Sequence, residues 1–134
     1  MSKCAAALLV LFLMGGCAKY EHPDFPVVSF TETDAAGRKV RQLQVGLTAA
    51  PAKTCIAGDW KVVEVIRDEA GYTKNPAYTL AGGKLEVLLI NSFCDSYNSY
   101  IGTLSGSSFS GEHVIYGLGT SKNLGSVSGA YSRP

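Results

Sequence analysis

The sequence predicts an all-β domain, a small antiparallel barrel or sandwich of about eight strands, behind a cleaved N-terminal signal segment. Three observations predict it. After residue 17 apolar residues nowhere recur at i, i+3, i+4 and i+7 over three turns, so no long amphipathic helix is written in the chain. Short runs alternate between apolar and polar residues instead, and Gly, Asn, Asp and Ser separate them. The length of 134 residues holds one domain and an appendage, not two domains. With 46% apolar and 17% charged residues the chain is too apolar to be disordered. Twelve Lys and Arg against 11 Asp and Glu, a net charge of +1, are too small a cationic excess for a nucleic-acid partner.

The elements follow in order. Val27 to Glu32 and Lys39 to Leu47 form a hairpin around Thr33-Asp34-Ala35-Ala36-Gly37, with Leu43, Val45 and Leu47 on one face. Residues 48–57 are a connector with room for a short helical turn. Trp60 to Arg67 is the clearest strand, with Trp60, Val62 and Ile66 on one side and Val63 and Val65 on the other. Ala77 to Leu80 and Lys84 to Asn91 flank Ala81-Gly82-Gly83, a turn suited to positive φ. Tyr97 to Leu104, Glu112 to Leu118 and Leu124 to Tyr131 complete the set. From Ser96 to Gly129, sixteen of 34 positions are Ser or Gly, the composition of a linker. Regularly spaced Tyr, Ile, Leu, Phe and Val argue for strands, in which small residues permit the sharp bends of a tight barrel.

The N-terminus carries one cation, Lys3, and then ten apolar residues from Ala5 to Met14. A membrane-spanning helix takes about 20, so this length fits the apolar region of a secretory signal. Leu13-Met14-Gly15-Gly16-Cys17 then resembles the lipobox of bacterial lipoproteins. That resemblance implies a diacylglyceryl group on the Cys17 thiol, cleavage before it and acylation of the new N-terminus. Residues 1–16 are thus expected to be the signal peptide, 17–26 a lipidated N-terminus and proline-containing tether, and 27–134 the β domain. Several acyl chains give stable anchoring where one gives marginal binding. Ala18 stands where an Asp would signal inner-membrane retention, so the expected location is the outer membrane if the host is Gram-negative.

Four cysteines stand at 4, 17, 55 and 94. Removal of Cys4 and lipidation of Cys17 leave Cys55 and Cys94, which in an oxidising compartment are expected to form a disulfide. The histidines, His22 and His113, lie in no metal-ligand spacing, so neither a metal nor a cofactor is expected.

Gly58-Asp59-Trp60 resembles the Gly-x-Trp signature of the calycin barrels, the lipocalin and avidin-like proteins. It implies that Trp60 closes one barrel end and that a late cation, here Arg133, packs across its ring. The lipocalin second motif is missing. Phe93-Cys94-Asp95-Ser96-Tyr97 and Tyr100-Ile101-Gly102 likewise resemble a segment of the META-type small lipoprotein domains. No catalytic constellation is legible. Adjacent strand residues face opposite ways, so Glu112 cannot orient His113, which reads as an exposed or strand-edge histidine. The carboxylates read as surface groups.

Trp60, Val62 and Ile66, or Leu85, Val87 and Leu89, are expected to fill the interior. Val63 and Val65 with Leu88 and Ile90 then need a cover, from the N-terminal hairpin or another protein. An eight-stranded barrel is just wide enough to be filled by side chains or to hold one small ligand. The expected function is therefore that of a non-catalytic envelope lipoprotein, acting through surface contacts with a protein partner or as a structural accessory. The alternatives are a carrier of a small hydrophobic ligand and an inhibitor of an exported enzyme.

Overall fold

Eight antiparallel strands follow one another around a closed barrel, each paired with its sequence neighbours and the last with the first. The computed structural model describes residues 21–134, so the expected signal peptide and Cys17 lie outside the described residues. The strands are β1 (Val27–Thr33), β2 (Lys39–Pro51), β3 (Lys61–Arg67), β4 (Ala77–Ala81), β5 (Lys84–Ile90), β6 (Tyr97–Ser105), β7 (Ser108–Gly117) and β8 (Thr120–Ser132). Of barrel and sandwich, the chain forms the barrel. The expected N-terminal hairpin is not a cover but two of its staves, since Val28 pairs with Val45 on one side and Tyr131 on the other.

The Ser/Gly-rich stretch forms β6, β7 and most of β8. Its glycines let backbones approach. Gly102 and Gly111 face each other across β6 and β7, and a Cβ on either would fall within 2.3 Å of a carbonyl oxygen of the facing strand. The Phe109 ring occupies the space that Gly102 leaves open.

Period-two alternation sends one set of residues inward. Val28 and Phe30 of β1, Leu43, Val45 and Leu47 of β2, Leu85, Val87 and Leu89 of β5, Tyr100, Phe109 and Val127 form one apolar cluster. Phe30 makes T-shaped contacts with Tyr100 and Phe109 at ring-centroid distances of 5.2 and 5.1 Å. Three aromatic rings from β1, β6 and β7 thus meet in the centre, and the barrel is filled by its own side chains.

On β3 the inward face is the opposite of the one expected. Val63 joins the interior cluster, whereas Val62 and Ile66 are exposed. Trp60 precedes the strand and packs outside the barrel with Ala77 and Leu88. The reason lies in the 52–60 connector, which contains no helical turn and crosses the outer face of β4 and β5. It carries Trp60 and Ile56 onto the outward-facing Leu88, so the chain covers this second apolar face itself. The Cys55–Cys94 disulfide joins the connector to the β5–β6 link, and Asn91 Nδ2 donates to Lys53 O at 2.8 Å beside it.

The β3–β4 seam is short, pairing only Lys61 with Tyr78 and Val62 with Ala77. Residues 68–76 fill the rest of the gap. Lys74 bridges to Ile90, and Val63 N donates to Pro76 O.

Candidate functional site

One mouth of the barrel is ringed by the β1–β2, β3–β4, β5–β6 and β7–β8 links; the chain ends lie at the other, where Val27 pairs with Ser132. Just inside the ringed mouth the apolar filling gives way to polar side chains. Alternation puts Glu32 on the same face as Val28 and Phe30, and Arg41 on the same face as Leu43. Glu32 and Arg41 are direct cross-strand neighbours, as are Tyr100 and His113.

Glu32 is the hub. Its Oε2 accepts hydrogen bonds from Arg41 Nη1 at 2.5 Å and Tyr100 Oη at 2.8 Å. Its Oε1 lies 2.6 Å from His113 Nδ1. The other imidazole nitrogen, Nε2, lies 2.6 Å from Asn98 Oδ1, and Asn98 Nδ2 donates to Tyr72 Oη at 2.7 Å. Tyr72 closes the circuit, its ring 3.7 Å from the Arg41 guanidinium carbon in a cation–π contact. Tyr100 and Tyr72 also make T-shaped contacts with the imidazole, both at 88° between ring planes.

Burial of a carboxylate and a guanidinium is costly unless each is paired and hydrogen-bonded, and here both are. Burial and the adjacent Glu32 charge push the Tyr100 phenol above its ordinary value, which keeps it a hydrogen-bond donor. Burial alone would weaken the hold of Arg41 on its proton, but its contacts with Tyr100 and Glu32 outweigh that and raise it.

The 68–76 link holds Tyr72 over this cluster through its own hydrogen bonds. Asp68 Oδ2 accepts from Thr73 N at 2.8 Å and Thr73 Oγ1 at 2.7 Å. Partial burial opposes ionisation of Asp68, but the bonds from Thr73 prevail and hold the carboxyl below its usual range. On the outer wall Tyr116 Oη donates to Glu86 Oε1 at 2.5 Å, and burial together with Glu86 pushes that phenol up as well.

His113 is therefore not the exposed residue its sequence context suggests: it is 1% exposed. The expectation failed because the partners of His113 come from β1 and β6, far away in sequence. Glu112, as expected, is not among them; it is exposed. Nor are all carboxylates at the surface, since Glu32 is 3% exposed. Strand alternation was the available signal, for it places Glu32 and Arg41 on apolar faces.

The three residues of the Gly-x-Trp resemblance are not gathered. Gly58 and Trp60 sit on the outer strap, the indole Nε1 donating to Ala57 O at 3.4 Å. Trp60 packs on β4 and β5, whereas Arg133 follows β8 on the far side of the barrel, near Tyr131 and Ser107. The cation–π partner found among the described residues is Arg41, and its ring is Tyr72. Of the tyrosines, Tyr78 and Tyr100 belong to the interior, and Tyr78 Oη donates to Thr48 O at 2.7 Å. Among the described residues no group of three or more His, Cys, Asp or Glu is arranged to hold a metal.

Chemically, this cluster is a closed circuit. Both imidazole nitrogens are engaged, both carboxylate oxygens are engaged, and an aromatic ring covers the guanidinium. Its polar atoms serve one another, and it plugs the mouth as the aromatic rings fill the centre. No family model matches the chain, and neither a curated protein nor a solved structure matches it.

Proposed function

We propose that the protein is a non-catalytic envelope lipoprotein, anchored by lipid at Cys17, that acts through contacts of its outer surface with a protein partner or as a structural accessory. The observation that carries this reading is the filled interior. Side chains pack the barrel centre, and the polar cluster at one mouth is satisfied from within. Ligand pockets are usually preformed concave chambers of some 300–1,000 Å³. The depressions here lie on the outside, such as one of about 420 Å³ between the connector, β3 and the 68–76 link, open to solvent. The signal-like N-terminus, Gly15-Gly16-Cys17 and the disulfide all suit an exported, lipid-held module.

Two measurements test the reading. Detergent partitioning with acyl labelling should place the wild-type chain with lipid and release the Cys17→Ala variant. Soaking the purified domain with lipids, haem and hydrophobic dyes should give no stoichiometric binding. A soluble, unlabelled wild-type chain would overturn the anchor, and one tight ligand recovered from the barrel interior would overturn the rest in favour of a carrier.

A further inference from the structure

The 52–60 connector is a part of the chain that the closed sheet does not need. The interior apolar cluster takes its side chains from all eight strands and none from this strap. Trp60, Ala77 and Leu88 form a second, smaller cluster on the outer wall, with Ala52, Ile56 and Tyr97 packed against it. Clusters that share no residue can open separately, one parting while the other stays packed.

The strap covers the indole that it carries. Trp60 Nε1 donates to Ala57 O, and a Cβ on Gly58 would stand 3.5 Å from the same nitrogen. Further hydrogen bonds run within the strap, from Thr54 Oγ1 to Ile56 O at 2.7 Å and from Ala52 N to Trp60 O at 2.9 Å. These shape it without fastening it to the wall. The Cys55–Cys94 bridge fastens it, together with the bond from Asn91 Nδ2 to Lys53 O. Without the bridge, that bond and the half-buried Ala52 and Ile56 would have to hold the strap down, which is little against the entropy of ordering residues 53–58.

Both cysteines are exposed, and so are Phe93 and Asp95 on either side of Cys94. Thiol–disulfide exchange requires a thiolate to reach one of the two sulfurs, and exposed bridges are the labile ones. The fastening that matters most to the strap is thus within reach of a reductant, while the barrel interior is not.

We infer that the Cys55–Cys94 bridge is a redox latch: a dithiol reductant opens it, the strap lifts from the outer wall, and the barrel stays closed. One thiolate of the dithiol attacks a bridge sulfur and forms a mixed disulfide, and the other cysteine leaves as a thiolate that takes up a proton. The second thiolate of the dithiol then displaces the remaining cysteine. Two electrons and two protons pass to the bridge, which becomes two thiols, and the dithiol leaves as a disulfide. Lifting the strap opens to water Ala77, Leu88 and Trp60, which are 0%, 1% and 4% exposed in the bridged chain. The reduced chain therefore displays an apolar surface that the oxidised chain keeps covered. The latch goes beyond the function proposed above and does not depend on lipid at Cys17.

The test uses the full-length chain in detergent, equilibrated without denaturant in dithiothreitol buffers of rising reducing strength and then alkylated. The peptides bearing Cys55 and Cys94 should gain the label together. Emission from Trp60, the single tryptophan, should move to the red, and a hydrophobic dye should bind. Amide exchange should quicken over residues 53–58 and stay slow through β1, β6, β7 and β8. Oxidised glutathione should reverse every change. Cys55→Ser/Cys94→Ser should show the shifted emission and the dye binding without dithiol, and should not respond to its addition. A bridge that stays closed until denaturant is added would overturn the inference, as would free thiols with the emission unmoved. Loss of slow exchange around the whole barrel on reduction would overturn it too, because the bridge would then hold the fold and not the strap alone.

Discussion

Glu32 and His113 stand 81 residues apart in the chain and 2.6 Å apart inside the barrel, carboxylate oxygen to imidazole nitrogen. This contact joins β1 to β7 across the intervening β8, the strand that closes the barrel. Removing Glu32 strands Arg41 and leaves the Tyr100 hydroxyl and His113 Nδ1 without their partner. Glu32→Ala should therefore cost about 3–5 kcal/mol, the range for breaking a buried ion pair. His113→Ala should also destabilise, and the two costs should not add in the double variant, because the partners share one network. Urea melts of the four proteins in the cycle measure this. Additive losses would show that the pair is not coupled.

Alkaline pH provides a second readout of the buried phenols. Tyr100 and Tyr116 are both held above the ordinary value of 10, by burial first and then by Glu32 and Glu86 respectively. A raised folded-state value means the folded protein binds the proton more tightly. Their contribution is therefore complete below about pH 10, the value of an unfolded tyrosine, and declines as pH rises above it. Phenolate absorbance should show Tyr100 and Tyr116 silent until the barrel opens, and thermal stability should fall steadily above pH 10. Seven tyrosines titrating together in a folded protein would contradict the assignment.

The strap gives a third expected outcome. The Cys55–Cys94 bridge spans 39 residues and holds the connector that seats Trp60 on Ala77 and Leu88. Loop-closure entropy puts its contribution at about 4 kcal/mol. The double variant Cys55→Ser/Cys94→Ser should lose a stability of that order. The single tryptophan should shift its emission to the red if the strap lifts, which fluorescence reads directly. An unchanged urea midpoint would mean that the strap holds without the bridge.

Backbone approach between β6 and β7 supplies the fourth. A methyl group at Gly111 would stand 2.2 Å from the Ile101 carbonyl oxygen, with Gly102 Cα at 2.7 Å, and neither can move aside as a flexible side chain can. Gly111→Ala should force these strands apart and destabilise by at least about 1–3 kcal/mol, the range of overpacking. At Gly106, where a Cβ meets nothing within 4 Å, φ is +60°, so Gly106→Asn should be tolerated much better. Denaturant melts of the two variants decide it, and equal losses would go against the steric account.

The strands themselves were legible in the sequence because alternation and turn residues are local. Gly82-Gly83 between Leu80 and Leu85 announced its hairpin, and the tyrosines and aliphatics spaced through the Ser/Gly-rich stretch announced β6 to β8. The disulfide followed from cysteine counting once Cys4 and Cys17 were assigned elsewhere. The carboxylates read as surface groups, although alternation puts Glu32 on the face of Phe30 and Arg41 on that of Leu43, because alternation cannot say that a carboxylate there would find a partner. That depended on barrel closure, which brings β6 and β7 within reach of β1 and supplies Tyr100 and His113. A strand with two apolar faces, such as β3, does not declare which one points inward. Only packing decided that Val63 fills the core while Trp60 turns outward under its own strap. Residue identity and spacing determined where the strands form; which side chains share the interior was decided by the closed sheet, because burial and ionic pairing depend on distances through space.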